Sequence, residues 1–120
     1  MTTLFRRLFV IALIGVTVLA VVPEEAAVVT SGWDKANHFI AFFVLLALLD
    51  RAYPAGRFVV FKIAALLGYG ILLEIVQSLV AGRDASLLDV GADMVGLAAY
   101  ALVRPAVLSV LDRLQAGAKE

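Results

Sequence analysis

Four apolar runs, each divided from the next by a short charged or turn-forming cluster, constrain this chain more than any other feature. They cover residues 4–22, 33–49, 58–81 and 87–103. A helix needs about 20 residues to cross about 30 Å of hydrocarbon, so each run is tested against that length. The third is the clearest, with only Lys62, Glu74 and Gln77 strongly polar; the fourth carries Asp89 and Asp93 near its start. The chain is 63% hydrophobic and 17% charged, with a mean hydropathy of +1.02. An average soluble domain is about 45–50% apolar and about 25% charged. Ten Lys plus Arg balance ten Asp plus Glu, which leaves no basic excess to hold nucleic acid. Bilayer lipid is therefore the expected solvent, and with 120 residues one domain is expected. Only helices or closed barrels satisfy a backbone in lipid, and alternating ten-residue barrel strands are absent, so the expected fold is all-α.

Loop charges orient the runs, because cytoplasmic loops collect Lys and Arg. With the N-terminus inside, Arg6, Arg7, Arg51, Arg57, Lys62, Arg104, Arg113 and Lys119 fall on or near the cytoplasmic side, and only Lys35 and Arg83 fall outside. Three spans would force Arg104, Arg113 and Lys119 across. The expectation is thus a four-helix integral membrane bundle with both termini cytoplasmic. Residues 104–120 read as an amphipathic helical tail at the inner surface, with Val107, Leu108, Leu111 and Leu114 on one face. Tyr53-Pro54-Ala55-Gly56 and Ala81-Gly82-Arg83-Asp84 read as turns. Arg6-Arg7, the apolar stretch after them and Ala26-Ala27 also describe a cleavable secretory leader; the preferred reading retains the segment as a span.

Ionisable groups inside a span each cost about 2.5–3.5 kcal/mol at a helix centre on insertion scales, which makes their positions informative. Asp34 and His38 share a face at the start of the second run, Glu74 and Gln77 share one in the third, and Asp89 and Asp93 share one in the fourth. In the chosen orientation these residues, with Lys35 and Arg83, lie in the outer third of the membrane or just above it. The inner third is expected to hold no comparable group; Lys62 is the only charge well inside the inner half and is near enough to the cytoplasmic end to snorkel, so no relay for proton or cation transport is visible across the inner half. Small residues allow close helix approach: Ala92, Gly96 and Ala99 in the fourth run, Ala64, Gly68 and Gly70 in the third. Asp89, Asp93, Gly96 and Tyr100 form one stripe. Trp33 reads as an interfacial anchor, and Phe39, Phe42 and Phe43 as lipid-facing or core residues.

Candidate catalytic residues are Asp34, His38, Glu74 and Asp89; candidate ligand-binding residues are Lys35, Gln77, Arg83 and Asp93. Asp34, Glu74, Asp89 and Asp93 contribute four negative charges against two positive ones from Lys35 and Arg83. Raised carboxyl pKa values, a divalent cation or a cationic partner each resolve the excess. His38 with Glu74, Asp89 and Asp93 has the donor types of a Zn, Mn or Mg site, although no spacing is a diagnostic metal motif, and an acid and base pair from His38 and a carboxylate fits equally well. Ser78 and Ser86 lack the surroundings of a nucleophile elbow. Arg83 is the best clamp for a phosphate or carboxylate.

Asp34-Lys35-Ala36-Asn37-His38-Phe39, then Glu74-Ile75-Val76-Gln77, then Gly82-Arg83 through Ser86 to Asp89, and finally Asp93 to Gly96, taken in that order, resemble the VanZ-like family of small bacterial membrane proteins. The family often has Pro where this chain has Ala81 and Asn where it has Asp93. The resemblance implies a four-helix protein of the bacterial cytoplasmic membrane with an outward-facing site, in a family whose named member is associated with low-level teicoplanin resistance. The expected function is binding or processing of a cell-envelope component, such as a lipid-linked or phosphate-bearing molecule. The competing expectation is a non-enzymatic helical module that stabilises or regulates a partner, its polar residues acting as interhelical glue.

Overall fold

The computed structural model describes residues 2–22, 34–55, 57–80 and 86–118, and these are all-helical. Helix α1 spans Thr2–Val21 and stops just short of Pro23, where the residue before a proline disfavours helical geometry. Helix α2 spans Asp34–Ala52 and runs into the bend and turn at Tyr53-Pro54-Ala55. A six-residue π-helical stretch, Phe58–Ile63, leads directly into α3, Ala64–Gln77. Ile63 is itself helical, at φ −67° and ψ −47°, so α3 continues an existing helix and needs no side-chain cap. It ends at Gln77, earlier than its apolar run, in tightened turns where Leu79 N–H donates to Val76 O and Val80 N–H to Gln77 O, both at 3.0 Å.

Helix α4 is a single helix of 32 residues, Leu87–Ala118. The expected inner-surface tail is thus the same helix continued through Pro105, although Pro105 withholds a hydrogen bond from the Ala101 carbonyl. Two helices, α1 and α4, are long and apolar enough to cross a membrane. The other two expected spans do not reach that measure: α2 has 19 residues with Asp34, Lys35, Asp50 and Arg51 at its ends, and α3 proper has 14.

Contacts between named residues set the direction of each helix. Arg6 Nε donates to Ala52 O at 3.0 Å while Gln77 Nε2 donates to Ala20 O at 3.0 Å, so α1 runs antiparallel to α2 and parallel to α3. His38 meets Asp93 and Asp50 meets Arg104, so α2 runs parallel to α4. The result is an up-down-up-down bundle in which α2 packs on both α1 and α4 and α3 lies against α4 and α1. One end gathers Lys35, His38, Glu74, Gln77, Asp89 and Asp93; the other gathers Arg6, Asp50, Lys62 and Arg104. The tie of α1 to Ala52 and Gln77, with Tyr69 bonded to Thr17, builds the first segment into the bundle.

The core holds Phe42, Leu45, Leu46, Leu66, Leu73, Leu97 and Tyr100. The stripe Asp89, Asp93, Gly96 and Tyr100 is buried along its length. A Cβ on Gly96 would run into the Phe39 carbonyl of α2, and one on Gly70 would come within 2.7 Å of Asp93 Oδ2. Gly68, by contrast, faces open space, so it does not serve the close approach expected of it. Large apolar side chains cover the outside, among them Ile11 (66% exposed), Phe61 (62%), Ile75 and Leu102 (83%).

Candidate functional site

Three helices bring the polar end together. Lys35 and His38 come from α2, Glu74 and Gln77 from the last turn of α3, and Asp89 and Asp93 from the first two turns of α4. Asp93 is fully buried, and its Oδ1 lies 2.7 Å from His38 Nδ1. Its Oδ2 sits over Gly70 of α3, where a Cβ would crowd both it and the Phe42 ring. Asp89 is 2% exposed, with Oδ1 3.8 Å from the Nζ of the exposed Lys35. Glu74 Oε2 accepts the Ser86 N–H at 2.9 Å, while its Oε1 is buried with no hydrogen-bond partner among the described residues. Gln77 donates to the last turn of α1, and its Oε1 is likewise buried without a partner.

His38, Glu74 and Asp89 each offer a donor atom, and the three atoms lie within 4.8 Å of one another. A carboxylate on Nδ1 fixes the imidazole and directs its chemistry to Nε2. The cluster therefore has the parts of an acid and base pair, or of a cation site. Of the residues singled out in the sequence, Lys35, His38, Glu74, Gln77, Asp89 and Asp93 meet at this end. Arg83, Trp33 and the turn at residues 81–84 lie outside the described residues, and of Asp34 only the helical backbone is described.

A cavity of about 210 Å³ opens beside the cluster between α1, α2 and α3. Its polar edge is Asn37, His38 and Gln77; its walls include Leu19, Ile40, Phe42 and Leu73. Ser86 plays a part the sequence reading missed: its Oγ accepts the Leu88 N–H at 3.1 Å and so caps α4. The signal was present as Ser86-Leu87-Leu88-Asp89, a capping-box pattern just before an apolar run. Asp89 in that first turn also complements the helix dipole.

The opposite end corrects one expectation. Lys62 does not snorkel: it is 3% exposed, and its Nζ donates to Asp50 Oδ1 at 2.8 Å. Asp50 also accepts from Tyr100 Oη at 2.8 Å and from Arg104 Nε and Nη2 at 2.8 and 3.2 Å. A buried ionic network therefore occupies the end of the bundle expected to hold no comparable group. Burial forces the pairing, because a lone ammonium at that depth would be far costlier than the pair. Phe42, Leu45, Leu46 and Leu97 lie between this network and His38.

The fold and site define a helical bundle with an ionisable cluster buried at one end and an ionic lock at the other. No family model, curated protein or solved structure matches the chain, so these residues themselves carry the functional reading.

Proposed function

We propose that this protein is a four-helix integral membrane protein of the bacterial cytoplasmic membrane, VanZ-like in its motif order, whose outward-facing cluster binds or processes a phosphate-bearing or lipid-linked envelope component. The observation that carries the reading is the pairing of polar cluster and apolar cavity: His38 and Gln77 stand at the edge of a space whose walls are Leu19, Ile40, Phe42 and Leu73. An amphipathic molecule matches that shape, its head group at the cluster and its chain in the cavity. Large apolar side chains exposed on all four helices, among them Ile11, Ile40, Ile75 and Leu102, suit lipid contact. The eight Lys and Arg at the other end and in the tail suit a cytoplasmic fringe.

Lipid retained through detergent purification tests this directly. Native mass spectrometry of the wild type should show a bound phosphate-bearing lipid, and His38→Ala and Gln77→Ala should lose it while keeping their helical content. Equal retention in all three proteins would contradict the reading. Teicoplanin susceptibility of a host with and without the gene is the corresponding test of the VanZ-like phenotype.

A second reading, the non-enzymatic module, is favoured by the way single polar groups stitch helices together: Gln77 to α1, and Glu74 to the cap of α4. On that reading function follows abundance, and each substitution lowers thermal stability without a separate loss of ligand.

A further inference from the structure

We infer that His38, Glu74 and Asp89 form a binding site for one divalent transition-metal ion, with Asp93 as the residue that orients the imidazole. One ring nitrogen of His38 and one carboxylate oxygen each of Glu74 and Asp89 already lie within 4.8 Å of one another. Zinc bonds to N and O of about 2.0–2.2 Å place tetrahedral ligand atoms about 3.4 Å apart, so the set has to tighten by about 1.4 Å at most, a movement of side-chain size.

An independent observation points to a ligand at this position. Glu74 is 8% exposed, and its Oε1 has no hydrogen-bond partner among the described residues, whereas Oε2 is held by the Ser86 N–H. A buried carboxylate oxygen left unsatisfied is costly, and a metal ion is one of the few partners that meets the need. The Asp93 to His38 Nδ1 contact of 2.7 Å supplies the outer arrangement usual for a metal-bound histidine, in which a carboxylate holds one ring nitrogen and the other ligates.

Charge agrees with geometry. Among the described residues this end holds the carboxylates of Glu74, Asp89 and Asp93 and the ammonium of Lys35, a donor set of the sign that suits a divalent ion. One imidazole with two carboxylates suits Zn²⁺ or Mn²⁺ better than Mg²⁺ or Ca²⁺, which take oxygen ligands, and the chain has no cysteine to favour a softer metal. Three protein ligands leave a position open for water or for a phosphate oxygen. Only the phosphate assignment rests on the head-group reading; metal binding itself does not.

The test uses the full chain in detergent, without a histidine tag and after chelator treatment. Titration with Zn²⁺, followed by calorimetry and elemental analysis, should show one equivalent bound. Co²⁺ should give a visible absorption band of the intensity expected for a four- or five-coordinate site. Asp89→Asn and Glu74→Gln should each weaken Zn²⁺ by about 100-fold or more, and Asp93→Asn by about 10–100-fold, as for outer partners of metal ligands. Zn²⁺ should also raise the Tm of the wild type and leave that of Asp89→Asn unchanged. Absence of stoichiometric binding by helical, monodisperse wild type would overturn the proposal, as would unchanged affinity in both ligand variants. The lipid experiment fails separately: metal bound with no lipid retained leaves this site standing and removes the head-group reading, and lipid retained without metal does the reverse.

Discussion

Asp50→Ala is expected to lower the stability of the bundle by about 3–5 kcal/mol, the usual cost of removing one partner from a buried ion pair. Asp50 is 1% exposed and accepts from three side chains at once: Lys62 from the helical stretch before α3, Tyr100 and Arg104 from α4. Arg104 has a side chain 32% exposed and can turn to water, but Lys62, at 3%, cannot. The uncompensated ammonium therefore dominates the loss. Unfolding in detergent, followed by circular dichroism against temperature or SDS, should show the transition far below that of the wild type. The double variant Asp50→Ala with Lys62→Met should recover a substantial part of it, because the buried charge is then gone as well. No recovery would mean that the network contributes through packing and not through charge.

Gly96→Ala is expected to be nearly as damaging, although it adds one methyl group. The new Cβ would meet the backbone carbonyl of Phe39, and backbone cannot rotate away as a side chain can. Helices α2 and α4 must move apart, at the upper end of the roughly 1–3 kcal/mol seen for overpacking. His38 precedes Phe39 and Asp93 lies one turn before Gly96, so the same displacement stretches the 2.7 Å contact that orients the imidazole. Stability and Zn²⁺ affinity should fall together. Gly68→Ala is the matched comparison: nothing lies within 4 Å of its added Cβ, and replacing a mid-helix glycine should stabilise by about 0.5–1 kcal/mol. Equal Tm values for the two alanine variants would refute the close approach of α2 and α4.

Much of the arrangement was legible in the sequence because membrane-like helices show their boundaries and faces in spacing alone. Asp89, Asp93, Gly96 and Tyr100 recur at helical intervals, and all four are buried on α4. Helix direction alternates because the connections are short, so groups from three separate runs arrive at one end. What spacing could not show was depth at the ends of runs. Asp50 stands just beyond the apolar stretch ending at Leu49, where spacing assigns it no depth, yet α2 continues to Ala52 and buries it. The available hint was a pair of opposite charges, Asp50 and Lys62, on the two sides of the Tyr53-Pro54 turn. Gly68 failed for a different reason: composition marks a small residue without saying which neighbour it faces. The role of Ser86 was missed because it was weighed as a nucleophile and not as a cap.

The central claim, a membrane bundle whose ionisable cluster faces outward, is tested most directly by the side of the membrane each connection reaches. The chain has no cysteine, so a single engineered thiol reports its own position. Glu25→Cys lies in the connection between α1 and α2, Gly82→Cys in that between α3 and α4, and Gly56→Cys in that between α2 and α3. In intact cells, an impermeant maleimide added outside should label the first two and leave Gly56→Cys unlabelled until the membrane is permeabilised. Labelling of Gly56→Cys alone would put His38, Glu74 and Asp89 on the cytoplasmic side and contradict the account.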